Sequence, residues 1–282
     1  MRSVHGESST ASAHPRTPDM DLHGVRILVT RPAEQSRDMV HEIGTRGGVP
    51  VTAPMIRILP PLSWVECDAC IAGLGDFAGI VFSSANAVRL FLHRCTAAGS
   101  NAALLQRAKI YVVGTKTAAA LVASGLTPAF VPDVHNGAEL ADHFRSQDLS
   151  GLRFLLPRGD LGRPEIAEGL RMCGARVVDL IVYRTAGPDA AAATVVRKVL
   201  DDRAVDVATF ASPSALEHFA AIVNPQQRET VRTTVVLGVI GETTAAAAAR
   251  LGMPADVVAQ KATGKGLIDA LHEWNGTLKR TP

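Results

Sequence analysis

Short, almost uninterrupted apolar runs recur along the chain: "VRILVT" from Val25, "GIVFSS" from Gly79, "IYVVG" from Ile110, "FLLP" from Phe154, "VATFAS" from Val207 and "LGVIG" from Leu237. Each is followed by a small polar turn and then by a stretch with helical periodicity. Runs of four or five apolar residues without alternation are the pattern of strands covered on both faces. The pattern therefore predicts open parallel sheets flanked by helices, the α/β class with a doubly wound parallel sheet.

The pattern also occurs twice. The segment from Val25 pairs with that from Leu152, "GIVFSSANAVRLF" with "DVATFASPSALEHF", and "IYVVGTKTAAALVASGL" with "LGVIGETTAAAAARLGM". Arg31 then matches Arg158, Ser84 matches Ser212 and Thr117 matches Thr244, each 127 or 128 positions apart. A period this long suits two similar domains rather than a solenoid.

In doubly wound folds ligands lie outside the carboxyl ends of the strands. Here those ends carry Thr30-Arg31-Pro32, Ser83-Ser84-Ala85-Asn86, Gly114-Thr115-Lys116-Thr117, Pro157-Arg158-Gly159, Ser212-Pro213-Ser214 and Gly241-Glu242-Thr243-Thr244. Each opens a helix, so it offers unpaired N–H groups and the positive end of a helix dipole, which hold an anion without a side-chain charge. The same hydroxyls also serve as helix caps, an equally good account of any one of them.

Composition narrows the field. With 47% hydrophobic residues in 282, the chain has ample material for packed cores. The first 23 residues are polar and rich in Ser, His and Pro, and read as a mobile tail outside the fold. No apolar run approaches the ~20 residues that span a bilayer, so a cytoplasmic location is expected. A net charge of +2 without basic blocks, and 4% aromatics, leave little for a nucleic-acid surface. Four cysteines do not make a disulfide scaffold, and Cys67 and Cys70 of "CDAC" fall in what reads as an amphipathic helix rather than a metal site. The turns lack a dinucleotide fingerprint and a P-loop, and Arg31 and Arg158 stand where receiver domains need acids. No Gly-x-Ser-x-Gly elbow is present either.

Taken in order, "ILVTRP", "VFSSANAV", "VVGTKTAAAL", "LLPRGD", "VYRT", "FASPSAL" and "VIGETTAAA" resemble the uroporphyrinogen-III synthase family over about 250 residues. The resemblance implies a cofactor-free, metal-free enzyme of tetrapyrrole biosynthesis that closes hydroxymethylbilane into uroporphyrinogen III, losing water and inverting the last pyrrole ring. It also implies two flavodoxin-like domains joined by a two-stranded linker, with the active site in the cleft between them. One domain would comprise residues 24–52 and 187–275, the other 58–178, with linker strands near 49–58 and 176–186. The repeat alone does not distinguish this interleaved layout from two consecutive halves.

On this resemblance Tyr183 of "VYRT" is the expected proton donor, its alternative role being a packed hinge residue. Thr117 and Thr244 match the family's Gly-x-x-Thr-Ala turns, and Ser84, Asn86, Ser212 and Ser214 its strand-end turns. Thr30 and Ser83 complete the expected substrate contacts, with Arg31 and Arg158 as candidates for its carboxylates. The departing hydroxyl is expelled by the pyrrole nitrogen itself, so the enzyme's main task is conformational control, and a missing His or Asp constellation is expected. The expected partner is the small-molecule substrate alone, with a monomer in transient contact with the preceding pathway enzyme. The competing reading is a non-catalytic two-domain module that binds a tetrapyrrole or another polyanion.

Overall fold

The computed structural model describes residues 22–100, 105, 107–132, 137–145, 147–162 and 164–274. In chain order its elements begin β1 (Arg26–Val29), α1 (Ala33–Thr45), β2 (Val49–Thr52), β3 (Arg57–Leu59), α2 (Val65–Ala72), β4 (Gly79–Phe82), α3 (Ala85–Ala97), β5 (Lys109–Val112) and α4 (Thr115–Val122). There follow α5 (Gly137–Phe144), β6 (Arg153–Gly159), α6 (Glu165–Met172), β7 (Arg176–Ala186), α7 (Ala190–Asp201), β8 (Val207–Phe210) and α8 (Pro213–Ile222). The chain closes with α9 (Pro225–Thr234), β9 (Val236–Val239), α10 (Glu242–Arg250), β10 (Val257–Val258) and α11 (Gly264–Glu273). All six apolar runs are strands, and each is followed by a helix. "CDAC" lies in the predicted helix, α2.

The chain forms two compact units, residues 1–56 with 187–282, and residues 57–186. In the first, five strands lie in the order β10-β9-β8-β1-β2, every pairing parallel. Counted within the unit, that is the flavodoxin-like order 2-1-3-4-5. Both sheet faces are covered. Leu28, Ala208, Phe210, Leu237 and Val239 meet α7, α8, α9 and α10 through Val196, Leu216, Phe219, Val231 and Ala248. Ile27, Val29, Val207 and Val236 meet α1 and α11 through Met39, Ile43, Leu267 and Leu271. The alternation along β1 therefore separates two apolar faces, which is why no polar residue interrupts it.

The second unit orders its strands β3-β7-β6-β4-β5. Four of them are parallel, and β3 is antiparallel to the far end of β7, pairing Arg57–Leu59 with Arg184–Ala186. Ile80, Phe82, Leu155 and Leu180 pack under α2, α3 and α4, whereas Val81, Tyr111, Phe154 and Leu156 pack under α5 and α6. Of the two stretches expected to link the domains, 49–58 runs from β2, the edge strand of the first sheet, into β3, and 176–186 is the eleven-residue strand β7, with which β3 pairs.

The fold begins earlier than the composition of the N-terminal stretch suggests. Leu22 is 1% exposed and packs with Ile27 and Ile43, and its carbonyl accepts the N–H of Val25. One leucine in a polar run is too little periodicity to register as structure. The tail expected over residues 1–21 lies outside the described residues.

At the start of β8, Asp206 is 2% exposed and accepts from the backbone N–H, Nε and Nη2 of Arg26 at 2.8, 3.0 and 2.9 Å. This carboxylate locks β1 to β8 in the centre of the first sheet and holds the Arg26 guanidinium above its usual pKa. Asp206→Ala leaves the Arg26 N–H and guanidinium without their acceptor and is expected to cost about 2–3 kcal/mol in chemical denaturation, whereas Asp206→Asn, which keeps two acceptor lone pairs, costs about 1 kcal/mol.

Candidate active site

In a 2-1-3-4-5 sheet the chain winds one way from the first strand and the other way from the third, opening a crevice at the ends of those two neighbours. In the second unit the pair is β4 and β6, which end at Phe82 and Gly159. Ser84, the cap of α3, stands at the first; its Oγ accepts the N–H of Ala87 at 3.1 Å. That oxygen also lies 3.1 Å from the hydroxyl of Tyr183.

Tyr183 arrives from β7 through an irregularity. Arg158 pairs with Ile181, but the next pairing joins Gly159 to Tyr183, skipping Val182. A bulge of this kind re-aims one side chain, and here it lays the phenol over Gly159. A Cβ on Gly159 would sit 2.5 Å from the ring and 2.8 Å from its hydroxyl oxygen. Asp160 fixes the irregularity from the other strand. Its N–H donates to the Tyr183 carbonyl at 3.1 Å, and its carboxylate accepts the N–H of Thr185 at 2.9 Å. Gly159 and Asp160 were not among the candidate site residues of the sequence. Their signal was in "LLPRGD", where a glycine directly follows a strand-end arginine.

Arg158 is engaged elsewhere. It forms a two-pronged ion pair with Asp179 and donates through Nη1 to the carbonyls of Gly159 and Gly162 at 2.9 and 3.3 Å. The hydrogen bonds to Asp179 hold its guanidinium above the usual pKa. In this arrangement it braces the turn after β6 rather than presenting a free charge. Asn86 Oδ1 accepts from Arg89, and Ser83 is partly buried beside Ser84.

The matching crevice of the first unit lies at the ends of β1 and β8. Ser212 caps α8, accepting the N–H of Ala215 at 3.2 Å, and meets the Ser214 hydroxyl at 3.3 Å. Thr30 is fully buried and donates to the carbonyl of Thr209 at 2.6 Å, so its hydroxyl is used within the sheet. Arg31 differs from Arg158. Its Nε is buried without a hydrogen-bond partner, and burial pulls the guanidinium below its usual pKa, offset in part by Asp38. Thr117 and Thr244, 4% and 2% exposed, sit inside the first turns of α4 and α10.

Among the described residues no group of His, Cys, Asp and Glu is arranged to hold a metal ion. Burial pushes the Cys67 and Cys95 thiols up to about 12, so both remain protonated at neutral pH. No helix among the described residues is long and apolar enough to cross a membrane.

Residues 37–269 match the family model of uroporphyrinogen-III synthase HemD. The chain belongs to the uroporphyrinogen-III synthase family. It is 30% identical to the uroporphyrinogen-III synthase of Synechococcus elongatus, covering 91% of this chain and 97% of that one. With the enzyme of Chlorobaculum parvum the identity is 29%, over 88% and 98% of the two chains. The fold is that of solved uroporphyrinogen III synthases. A mutant of the Thermus thermophilus protein aligns with a TM-score of 0.59 at 21% identity, over 87% of this chain and 97% of that one. The Helicobacter pylori protein aligns at 0.54 and 17%, over the same shares.

The close fit of the phenol over Gly159 is open to a direct check. Gly159→Ala forces a Cβ into the Tyr183 ring and is expected to lower stability by about 1–3 kcal/mol while displacing the phenol from Ser84. Thermal unfolding reads the first effect, and a crystal structure of the variant the second.

Proposed function

We propose that the protein converts hydroxymethylbilane to uroporphyrinogen III, with Tyr183 as the proton donor to the departing hydroxyl. Family membership supports the reaction and favours it over a binding module without chemistry. The observation that carries the role of Tyr183 is its place at the crevice of the second sheet, held between Ser84 and Gly159. A phenol carries an O–H and can give its proton as the C–O bond breaks. The pyrrole nitrogen supplies the electrons, leaving an electrophilic azafulvene and water. The remaining task is to hold the chain of four rings so that closure follows the inverting, spiro route.

The substrate's eight carboxylates call for many donors rather than a large net charge. Helix N-termini at the strand ends, with Ser83, Asn86, Ser212 and Ser214, supply such donors in each unit, while Ser84 is turned to Tyr183. Arg31 is the cation proposed to meet a carboxylate, because its desolvated Nε lacks a partner. Thr30, Thr117, Thr244 and Arg158 are assigned to shaping these turns from within, as their burial and bonding favour. The enzyme is further proposed to act as a cytoplasmic monomer. It would receive its substrate by transient contact with the enzyme that makes it, since free hydroxymethylbilane also closes without inversion.

With hydroxymethylbilane generated in situ, followed by oxidation and chromatography, the protein is expected to yield type III uroporphyrin in excess over the uncatalysed control. Type I alone from folded protein would reject the reading. Tyr183→Phe is expected to lower kcat by about a hundredfold, the usual worth of a positioned acid, with the melting temperature unchanged. A wild-type rate would remove Tyr183 from the chemistry. Arg31→Met is expected to raise KM about tenfold at nearly constant kcat, as the loss of one charge-assisted contact predicts. An unchanged KM would assign Arg31 to structure.

A further inference from the structure

Ser84 has two relationships that one hydroxyl can satisfy together in only a few ways. Its oxygen accepts the N–H of Ala87 at 3.1 Å, one of the orphan donors at the start of α3. The same oxygen lies 3.1 Å from the oxygen of Tyr183. A hydroxyl carries one proton and two lone pairs. With a lone pair taken by the helix N-terminus, the positive end of the α3 dipole bears on that oxygen and makes the hydroxyl a better donor and a poorer acceptor.

The first unit provides a control within the same molecule. Ser212 occupies the equivalent place and caps α8 in the same way, yet among the described residues the one other side chain its hydroxyl meets is Ser214. Capping therefore does not require a phenol, and the contact to Tyr183 is an addition particular to the second unit. The second unit makes room for that addition, since the bulge brings the phenol into the space that a Cβ on Gly159 would fill.

We infer that Ser84 is a positioning residue that donates its proton to the phenolic oxygen of Tyr183, so that the phenol's own proton points away from Ser84, toward the substrate. The inference rests on the proton-donor reading of Tyr183. In the step concerned, the substrate's C–O bond breaks and the pyrrole nitrogen lone pair forms the new double bond. The hydroxyl leaves as water with the Tyr183 proton. The phenolate left behind keeps the hydrogen bond from Ser84, and it regains a proton when the newly joined ring loses one to restore aromaticity. The net change is the loss of one water.

The test compares Ser84→Gly, Ser84→Ala, Ser84→Thr, Tyr183→Phe and Ser84→Gly/Tyr183→Phe in the full chain, reading kcat, KM and melting temperature for type III formation. Glycine is nearly as good a helix cap as serine, so Ser84→Gly removes the hydroxyl while leaving α3 its start. Its kcat is expected to fall about tenfold, the worth of one hydrogen bond to the proton donor, with KM within about twofold of wild type. Ser84→Thr should recover most of the rate lost in Ser84→Ala, and the double variant should be no slower than Tyr183→Phe alone. If Tyr183→Phe is slow but Ser84→Gly turns over at the wild-type rate, the positioning role is overturned and the donor reading stands. If Tyr183→Phe is itself unimpaired, the donor reading falls and takes this inference with it. Should Ser84→Gly fail to fold, Ser84→Ala and its rescue by threonine decide: no loss, or a loss that threonine does not repair, overturns the role.

Discussion

A parallel strand can be followed by another only through a crossover, and crossovers from a right-handed connection all begin at the same edge of the sheet. Both units obey this rule in the order 2-1-3-4, so each collects its strand-end turns along one edge and opens a crevice where the winding reverses. The positions of Ser84, Tyr183, Gly159, Arg31 and Ser212 all follow from it. The two apolar faces of each sheet provide the stability that holds those edges in place. The turns themselves are then free to be chosen for chemistry.

The two crevices have diverged from a common plan. The first unit completes its sheet with the short β10, whereas in the second β7 is eleven residues long and its last three pair with the antiparallel edge strand β3. That extra length carries Tyr183 to the mouth of the crevice. The skipped pairing at Gly159 is what the sheet gives up for it, and Asp160 compensates by satisfying the N–H of Thr185. The residue proposed as the proton donor thus sits where the ladder is irregular, in keeping with the general placement of bulges beside functional groups.

The strands, the helices behind them and the twofold repeat were legible in the pattern of apolar residues, because burial on both faces leaves a run such as "VATFA" with no polar position to confuse it. The ordered motifs made the family legible as well. The internal bonding of the turns was not. Thr30 and Ser84 look alike in sequence, each a hydroxyl at a strand end, yet Thr30 points into the sheet toward Thr209 and Ser84 toward a phenol about a hundred residues away. Arg31 and Arg158 are matched by the repeat, but only the latter forms an ion pair with an aspartate of the neighbouring strand, among the described residues. Cross-strand partners of this kind depend on register, and register around a bulge cannot be counted from one strand alone.

That contrast bears on how a site with so little net charge would hold the proposed polyanionic substrate. Most arginines whose bonding is defined here are already paired: Arg26 with Asp206, Arg46 with Asp269, Arg94 with Asp68 and Arg158 with Asp179. The first and last of these brace strand ends, the other two join neighbouring helices, and in each the opposite charges cancel at a distance. Arg31 stands apart, with a buried nitrogen that has given up water and gained no acceptor. Desolvating a cation without pairing it is unfavourable, and the same burial pulls its pKa below the usual value, against the opposing pull of Asp38. A carboxylate placed against that nitrogen would remove the penalty, and a low-dielectric setting strengthens such a pairing, which is the physical ground for proposing Arg31 as a substrate contact.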